Sequence, residues 1–122
     1  MDSFPGYTFP AELALLRDQV HRFIRDEIIP LEQRLDPDAG DLPEEDYRRL
    51  MAKTKAAELW CLGAPEKYGG GGLSTFGMAV LLEDMSQHRM GLYNAGCGAF
   101  GRYPPPVIYG GTEEQIQKYA VP

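Results

Sequence analysis

The sequence predicts an all-α fold, a helical bundle of about five helices. Apolar residues recur every three or four positions through several long segments, which is the period of an amphipathic helix. Clusters of glycine and proline separate these segments, and the chain shows no strand-like alternation of apolar and polar residues. We therefore expect one helical domain over residues 11–122, preceded by an N-terminal extension over residues 1–10.

The first predicted helix covers residues 11–35. Pro30 lacks a backbone N–H, and its ring collides with the carbonyl four residues earlier, so it should kink or interrupt this helix. Residues 36–41 are rich in Asp and also contain Pro and Gly, and they predict a turn-rich link to the next helix. The apolar face of the first helix consists of Leu13, Leu16, Val20, Phe23, Ile24 and Ile28.

The second predicted helix begins near Pro43, with Asp41 available as an N-cap, and runs toward Leu59. An apolar turn closed by Gly63 follows it. The third major helix begins after Ser74, a cap candidate, and the last one after Thr112, which forms a capping box with the glutamine three residues on. The predicted core residues of these last two helices are Phe76, Val80, Leu81, Met85, Ile116, Tyr119 and Ala120.

Composition and charge exclude several classes of function. The chain of 122 residues has a net charge of −6 and no Lys/Arg stripe, which disfavours nucleic-acid binding and makes its surface a poor one for anionic ligands in general. It has no apolar run long enough to span a membrane. Its first ten residues resemble neither a secretory signal nor a transit segment, so we expect a cytoplasmic protein, or a mitochondrial matrix protein if it is eukaryotic and already processed.

The titratable residues predict no reaction and no metal site. Cys61 and Cys97 have no accompanying ligand cluster, and we expect both to be small buried apolar residues, since a disulfide is not favoured in a chain of this kind. His21 lies off the apolar face and should be at the surface. The adjacent Glu83 and Asp84 point about 100° apart on a helix, so they cannot form a facing acid–base pair, and solvation of the helix explains them better.

The glycine-rich residues 65–74, Pro-Glu-Lys-Tyr-Gly-Gly-Gly-Gly-Leu-Ser, allow two interpretations. A phosphate-binding loop would need a preceding strand, a following helix N-terminus and, usually, Gly-Lys-Ser/Thr or spaced glycines. Here a helix precedes the glycines and no lysine follows them. The pattern therefore favours a sharp turn of the backbone between packed helices.

The same loop resembles a motif in the N-terminal helical domain of acyl-CoA dehydrogenases, and the resemblance extends from about Phe9 to Pro122. Four further motifs agree with that family in order and spacing. They are residues 16–23 with 28–32, residues 44–50 with 59–63, residues 83–86, and residues 111–119 followed by Pro122.

The resemblance implies a flavoprotein whose full-length form oxidises an acyl-CoA between its α and β carbons. In this family a glutamate removes the α-proton and FAD accepts the hydride, and both belong to a middle β-domain and a C-terminal helical bundle. We therefore expect this chain to have no catalytic or FAD-binding residues, to be inactive alone, and to form one wall of the acyl pocket. A homo-oligomer is the usual assembly in the family.

By position in the family, the residues of that wall are Tyr93, Asn94 and Cys97. The sequence departs from the family here, because glycines and the three prolines 104–106 would break the regular helix that the family has. We expect a broken segment over residues 92–102, with a helical turn restarting near Pro104. The departure leaves the acyl substrate open.

Two other functions fit the sequence. One is a non-catalytic helical interaction module, and the other is a subunit that a second, flavin-carrying chain completes. The first domain also cannot separate dehydrogenases from the oxidases and monooxygenases that share the fold.

Overall fold

The fold is all-α, as predicted. The computed structural model describes residues 3–4, 7–8, 10–38, 42–88, 99–101 and 105–121. Its α-helices are α1 (Ala11–Phe23), α2 (Ile29–Arg34), α3 (Glu44–Ala56), α4 (Thr75–Met85) and α5 (Glu113–Tyr119). Single 3₁₀ segments cover Glu66–Tyr68 and Pro106–Gly110, and a two-residue antiparallel pair, β1 (Ser3–Phe4) with β2 (Tyr7–Thr8), lies in the N-terminal extension.

The first helix is irregular where Pro30 predicted an irregularity. A π-helical turn, Ile24–Ile28, joins α1 to α2, and the Ile29 N–H donates to the carbonyl of Ile24, five residues earlier. Pro30 has no N–H to continue the regular ladder, and the wider turn accommodates its ring. Because α1, the π turn and α2 follow without a break, the described residues contain four separate helices rather than about five.

The core lies between the first helix, α3 and α4. Val20, Ile28, Leu50 and Leu81 are completely buried there, and Leu16 and Phe23 pack against its edge. Burying each such side chain stabilises the fold by roughly 1.5–3 kcal/mol. Other core members are Leu13, Ile24, Leu31, Leu59, Leu62, Val80, Met85, Ala99 and Phe100.

Two predicted core residues are on the surface instead. Phe76 is 47% exposed on α4 and Tyr119 is 64% exposed on α5, whereas Ile116 on the same helix is buried. The period of the sequence identifies an apolar face, but not how much of that face another helix covers.

Helix α3 ends three residues before the predicted end near Leu59, in a Schellman arrangement. The Glu58 N–H donates to the Lys55 carbonyl at 3.1 Å and the Leu59 N–H to the Thr54 carbonyl at 2.8 Å. Glu58 takes the left-handed conformation with φ +58°, where a glycine is usual. The chain therefore turns sharply just before the turn over residues 61–64 that leads into the glycine-rich loop.

Candidate functional site

The predicted pocket-wall residues Tyr93, Asn94 and Cys97 lie outside the described residues. The structure describes both flanks of this region, the end of α4 before it and the turn over residues 99–101 after it. Gly101 has φ +94°, and the described residues 99–101 form a turn rather than part of a helix. The helical turn restarts at Pro106, two residues later than predicted.

The end of α4 carries a buried carboxylate, and two basic side chains of α1, an arginine and a histidine, lie within hydrogen-bonding distance of it. Asp84 is only 4% exposed, and its Oδ2 accepts a hydrogen bond from Arg17 Nε at 3.1 Å. Its Oδ1 lies 3.0 Å from His21 Nδ1, which carries the hydrogen in this arrangement because an ionised carboxylate can only accept. We call Arg17, His21 and Asp84 the Asp84 cluster. It ties α4 to α1 through charge as well as through apolar packing.

The Asp84 cluster corrects two sequence-based expectations. His21 is half-exposed but is not simply a surface residue, and Asp84 is buried rather than solvated. Only Glu83 is exposed as expected. Arg17 and His21 are four residues apart on one face of α1, and this spacing of two basic side chains beside an apolar stripe is the one signal the sequence offered.

The turn at 99–101 is held against the end of α3. The Thr54 hydroxyl lies 2.6 Å from the Ala99 carbonyl, and the Cys61 N–H donates to the Phe100 carbonyl at 2.8 Å. The ring of Phe100, 2% exposed, packs edge-on against Phe23 with a centroid distance of 5.3 Å. This turn is therefore part of the core and not a surface connection.

The glycine-rich loop is a structural turn. Its amides are used within the loop and by the preceding turn, since the N–H groups of residues 68–73 donate to carbonyls of Cys61, Leu62, Ala64, Pro65 and Glu66. A phosphate would need several of those N–H groups free and convergent. The described part of this loop therefore does not fit a nucleotide phosphate, and the turn interpretation is confirmed.

Beside this loop lies a half-open cavity of about 730 Å³, lined by residues of the α3 end, the loop, the Pro106–Gly110 segment and the residues after α5. Lys55 Nζ lies 4.7 Å from the Trp60 ring centroid, and the rings of Tyr68 and Tyr109 stack with centroids 5.7 Å apart. Burial raises the pKa of the Cys61 thiol, an effect that Lys55 opposes. A thiol of raised pKa is a poor nucleophile, so this cavity shows no activated group.

The stacked Tyr68 continues into a small hydrogen-bonded group on α5. The Tyr68 hydroxyl donates to Glu113 Oε2 at 2.8 Å, and Gln117 Nε2 donates to Oε1 at 3.1 Å. Both hydrogen bonds lower the pKa of Glu113, and the one from Gln117 has the larger effect. They join the glycine-rich loop to α5 and leave Glu113 ionised rather than available as an acid.

The described residues contain no group of three His, Cys, Asp or Glu side chains that could hold a metal ion. They also contain no helix with the length and apolar character needed to cross a membrane.

Comparison with known proteins agrees with the sequence motifs. Residues 10–122 match the family model described as acyl-CoA dehydrogenase, N-terminal domain. The chain is similar to (R)-benzylsuccinyl-CoA dehydrogenase of Thauera aromatica, with 32% identity over 74% of the chain and 24% of that protein. It is also similar to the probable acyl-CoA dehydrogenase YngJ of Bacillus subtilis (strain 168), with 30% identity over 96% of the chain and 30% of that protein.

A second probable acyl-CoA dehydrogenase of Bacillus subtilis (strain 168) is 36% identical over 73% of the chain and 15% of its own length. The chain thus spans less than a third of each of these relatives. No solved structure matches it.

Proposed function

From the premise that this chain belongs to the acyl-CoA dehydrogenase family, whose N-terminal domain it matches over residues 10–122, we propose that it forms one wall of an acyl-CoA pocket. The full-length protein would carry out α,β-dehydrogenation of an acyl-CoA thioester. The match over nearly the whole chain is the observation that carries this proposal. Tyr93, Asn94 and Cys97 are the residues we assign to the wall.

The flavin and the catalytic base are assigned to other parts of the full-length protein. The glycine-rich loop does not fit the phosphates of FAD, because the N–H groups of residues 68–73 are already bonded to backbone carbonyls. Asp84, the buried carboxylate, is engaged by Arg17 and His21, which supports a structural role for it rather than that of a base. What this chain provides is therefore a surface that shapes the pocket and excludes water from it.

The proposed activity can be tested on the full-length protein. We expect bound flavin, with an absorbance band at about 450 nm, that is bleached anaerobically by an acyl-CoA thioester. A panel of straight-chain, branched and aromatic thioesters, including (R)-benzylsuccinyl-CoA, would identify the substrate class. Oxygen consumption with peroxide formation would instead indicate an oxidase. The proposal would be contradicted if the purified protein contained no flavin and if, after reconstitution with flavin, none of the thioesters reduced it.

A second candidate is a helical subunit completed by another, flavin-carrying chain. The observation that favours it is the exposure of three apolar side chains near the end of the described chain, Val107 at 82%, Tyr119 at 64% and Val121 at 42%. These are side chains that a second chain would bury on docking. Co-purification with a separately encoded flavoprotein would support this arrangement, and a single polypeptide carrying its own flavin would exclude it. For either arrangement we propose a homo-oligomeric protein of the cytoplasm, or of the mitochondrial matrix if it is eukaryotic.

A further inference from the structure

We propose that the half-open cavity beside the glycine-rich loop is a binding site for a planar aromatic monocarboxylate, with Lys55 as its charge partner. The cavity has a volume of about 730 Å³. Binding sites for small molecules usually have about 300–1,000 Å³ and combine apolar or aromatic walls with a few polar groups. All the residues that line this cavity are described, and none of them belongs to the pocket wall assigned above.

Three side chains with hydrogen-bond donors line the cavity. They are the Lys55 ammonium, the Trp60 indole and the Tyr109 hydroxyl, and none of them hydrogen-bonds to another residue in the part of the chain that the structure describes. Lys55 is nevertheless held in place, because its Nζ lies 4.7 Å from the centroid of the Trp60 ring. An ionised carboxylate only accepts hydrogen bonds, and its two oxygens can accept from several donors. The donors of this cavity therefore suit a carboxylate better than an amine.

The walls of the cavity suit a flat, apolar ligand body. Three aromatic rings contribute to them, those of Trp60, Tyr68 and Tyr109, and the two tyrosine rings stack on one another. Residues 69–71 contribute as well, and because all three are glycines their peptide planes carry no side chains that would keep a ligand away. An aromatic ring can pack against both kinds of surface, and since it is rigid it loses little conformational freedom on binding.

The charges around the cavity limit the ligand to a single negative charge. Among the described residues that line it, Lys55 is the one cation and Glu58 the one carboxylate, and both are exposed. Burial raises the pKa of the Cys61 thiol, an effect that Lys55 opposes, so the thiol adds no negative charge at neutral pH. A dianion would be repelled by Glu58 and by the net charge of −6 on the chain. We therefore expect a monocarboxylate and not a phosphate.

The test uses the full-length protein, with 2-naphthoate as the probe and isothermal titration calorimetry as the measurement. We expect a dissociation constant below about 1 mM, which is a modest affinity for a ligand of this size. The uncharged 2-naphthamide should bind about tenfold more weakly, because hydrogen bonds to a charged group are the stronger ones. Higher salt should weaken the binding of the acid and leave that of the amide unchanged. Equal affinities for the acid and the amide would overturn the role of Lys55.

Three variants assign the binding to this cavity. Lys55→Met removes the positive charge and should weaken the binding of 2-naphthoate about tenfold. Lys118→Met is the matched control, because Lys118 Nζ lies 5.1 Å from the Tyr119 ring centroid in the same kind of contact but Lys118 does not line the cavity. Its affinity should be unchanged. Glu58→Gln removes the opposing charge and should strengthen binding by about two- to threefold. All three side chains are exposed, so these variants should keep the fold.

Three results would overturn the site. The first is an affinity that is the same in Lys55→Met as in Lys118→Met. The second is competitive displacement of the probe by an acyl-CoA thioester, which would place the acid in the acyl pocket. The third is no binding at all to the full-length protein, because the remaining polypeptide would then cover or fill the cavity. A protein that binds the acid through Lys55 but shows neither flavin nor acyl-CoA activity would support the site and refute only the function proposed above.

Discussion

Replacing Gly70 by alanine should be among the most damaging small substitutions in this chain. A Cβ at Gly70 would lie 2.2 Å from the Ala64 carbonyl oxygen and 2.5 Å from the Ala64 Cβ, well inside van der Waals contact. The opposing atoms include backbone, so no side-chain rotation can relieve the clash. The loop would have to move away from the turn over residues 61–64.

That movement has a cost that can be worked out from the hydrogen bonds. Separating the loop from the turn breaks at least the bonds from Gly71 N–H to the Cys61 carbonyl, at 3.1 Å, and from Gly72 N–H to the Ala64 carbonyl, at 2.8 Å. At about 1 kcal/mol each, with about 1–3 kcal/mol for the overpacking that remains, Gly70→Ala should destabilise the fold by about 3–5 kcal/mol.

Two other glycines are controls with different expectations. Gly69 has φ +92° but nothing within 4 Å of an added Cβ, so Gly69→Ala should cost only the left-handed conformation, about 1–2 kcal/mol. Gly110 has neither a close neighbour nor a positive φ. Gly110→Ala should therefore be neutral or stabilise by up to about 1 kcal/mol, because it restricts the unfolded chain.

Native-state hydrogen exchange of the amides of residues 68–73, measured in the full-length protein, provides the assay. A loss of about 3–5 kcal/mol corresponds to exchange that is roughly a hundred to a few thousand times faster for Gly70→Ala, since about 1.4 kcal/mol is a factor of ten. The order Gly70, then Gly69, then Gly110 is the essential expectation. If Gly70→Ala exchanged no faster than Gly110→Ala, the close approach of the loop to residue 64 would be wrong.

Four further outcomes are expected. The Ser74 side chain caps α4 by accepting a hydrogen bond from the Gly77 N–H at 3.1 Å. Ser74→Ala removes this cap and should lower the free energy of unfolding, measured in urea, by about 1 kcal/mol. Glu58→Gly relieves a left-handed φ of +58° and should raise that free energy by about 1 kcal/mol; a loss would contradict the Schellman assignment. Iodoacetamide at pH 8 should alkylate Cys61 more slowly than a model thiol, because burial raises the pKa of Cys61, and equal rates would count against that burial. The pKa of Glu113 is lowered in the folded protein, so the ionised side chain contributes stability above the ordinary pKa of 4.5, and this stability is lost as pH falls through the lower folded pKa. An NMR titration midpoint of Glu113 at or above 4.5 would refute the shift. Gln117→Ala should move that midpoint upward, because it removes one of the two hydrogen bonds.

The features that the sequence predicted correctly are local ones. Ser74 caps α4 and Thr112 forms its capping box, because these bonds join residues only three positions apart. The irregularity before Pro30 follows from its missing N–H in the same way. The apolar period located the buried face of the first helix, because burial along one helix depends on a repeat that the sequence displays directly.

The features that the sequence did not predict depend on distant partners. Asp84 is 67 residues from Arg17 and 63 from His21, and no local pattern shows that these side chains meet. The apolar period predicted Phe76 in the core, but its side chain is 47% exposed. Helix α4 carries apolar residues on more than one face. The period then cannot say which face packs against another helix.

Cys61 shows how closely the two loops depend on one another. Its N–H holds the turn at 99–101 through Phe100, and its carbonyl accepts the N–H of Gly71. It does so in a left-handed conformation, φ +50°, that is unfavourable for a side chain of this kind, and a Cβ at Gly101 would lie 2.5 Å from its Sγ. Cys61 keeps this strained conformation because its hydrogen bonds to Phe100 and to Gly71 both hold it in place. The glycine-rich loop therefore supports, through one residue, the turn that ends the proposed pocket wall, and its four glycines need no ligand to explain them.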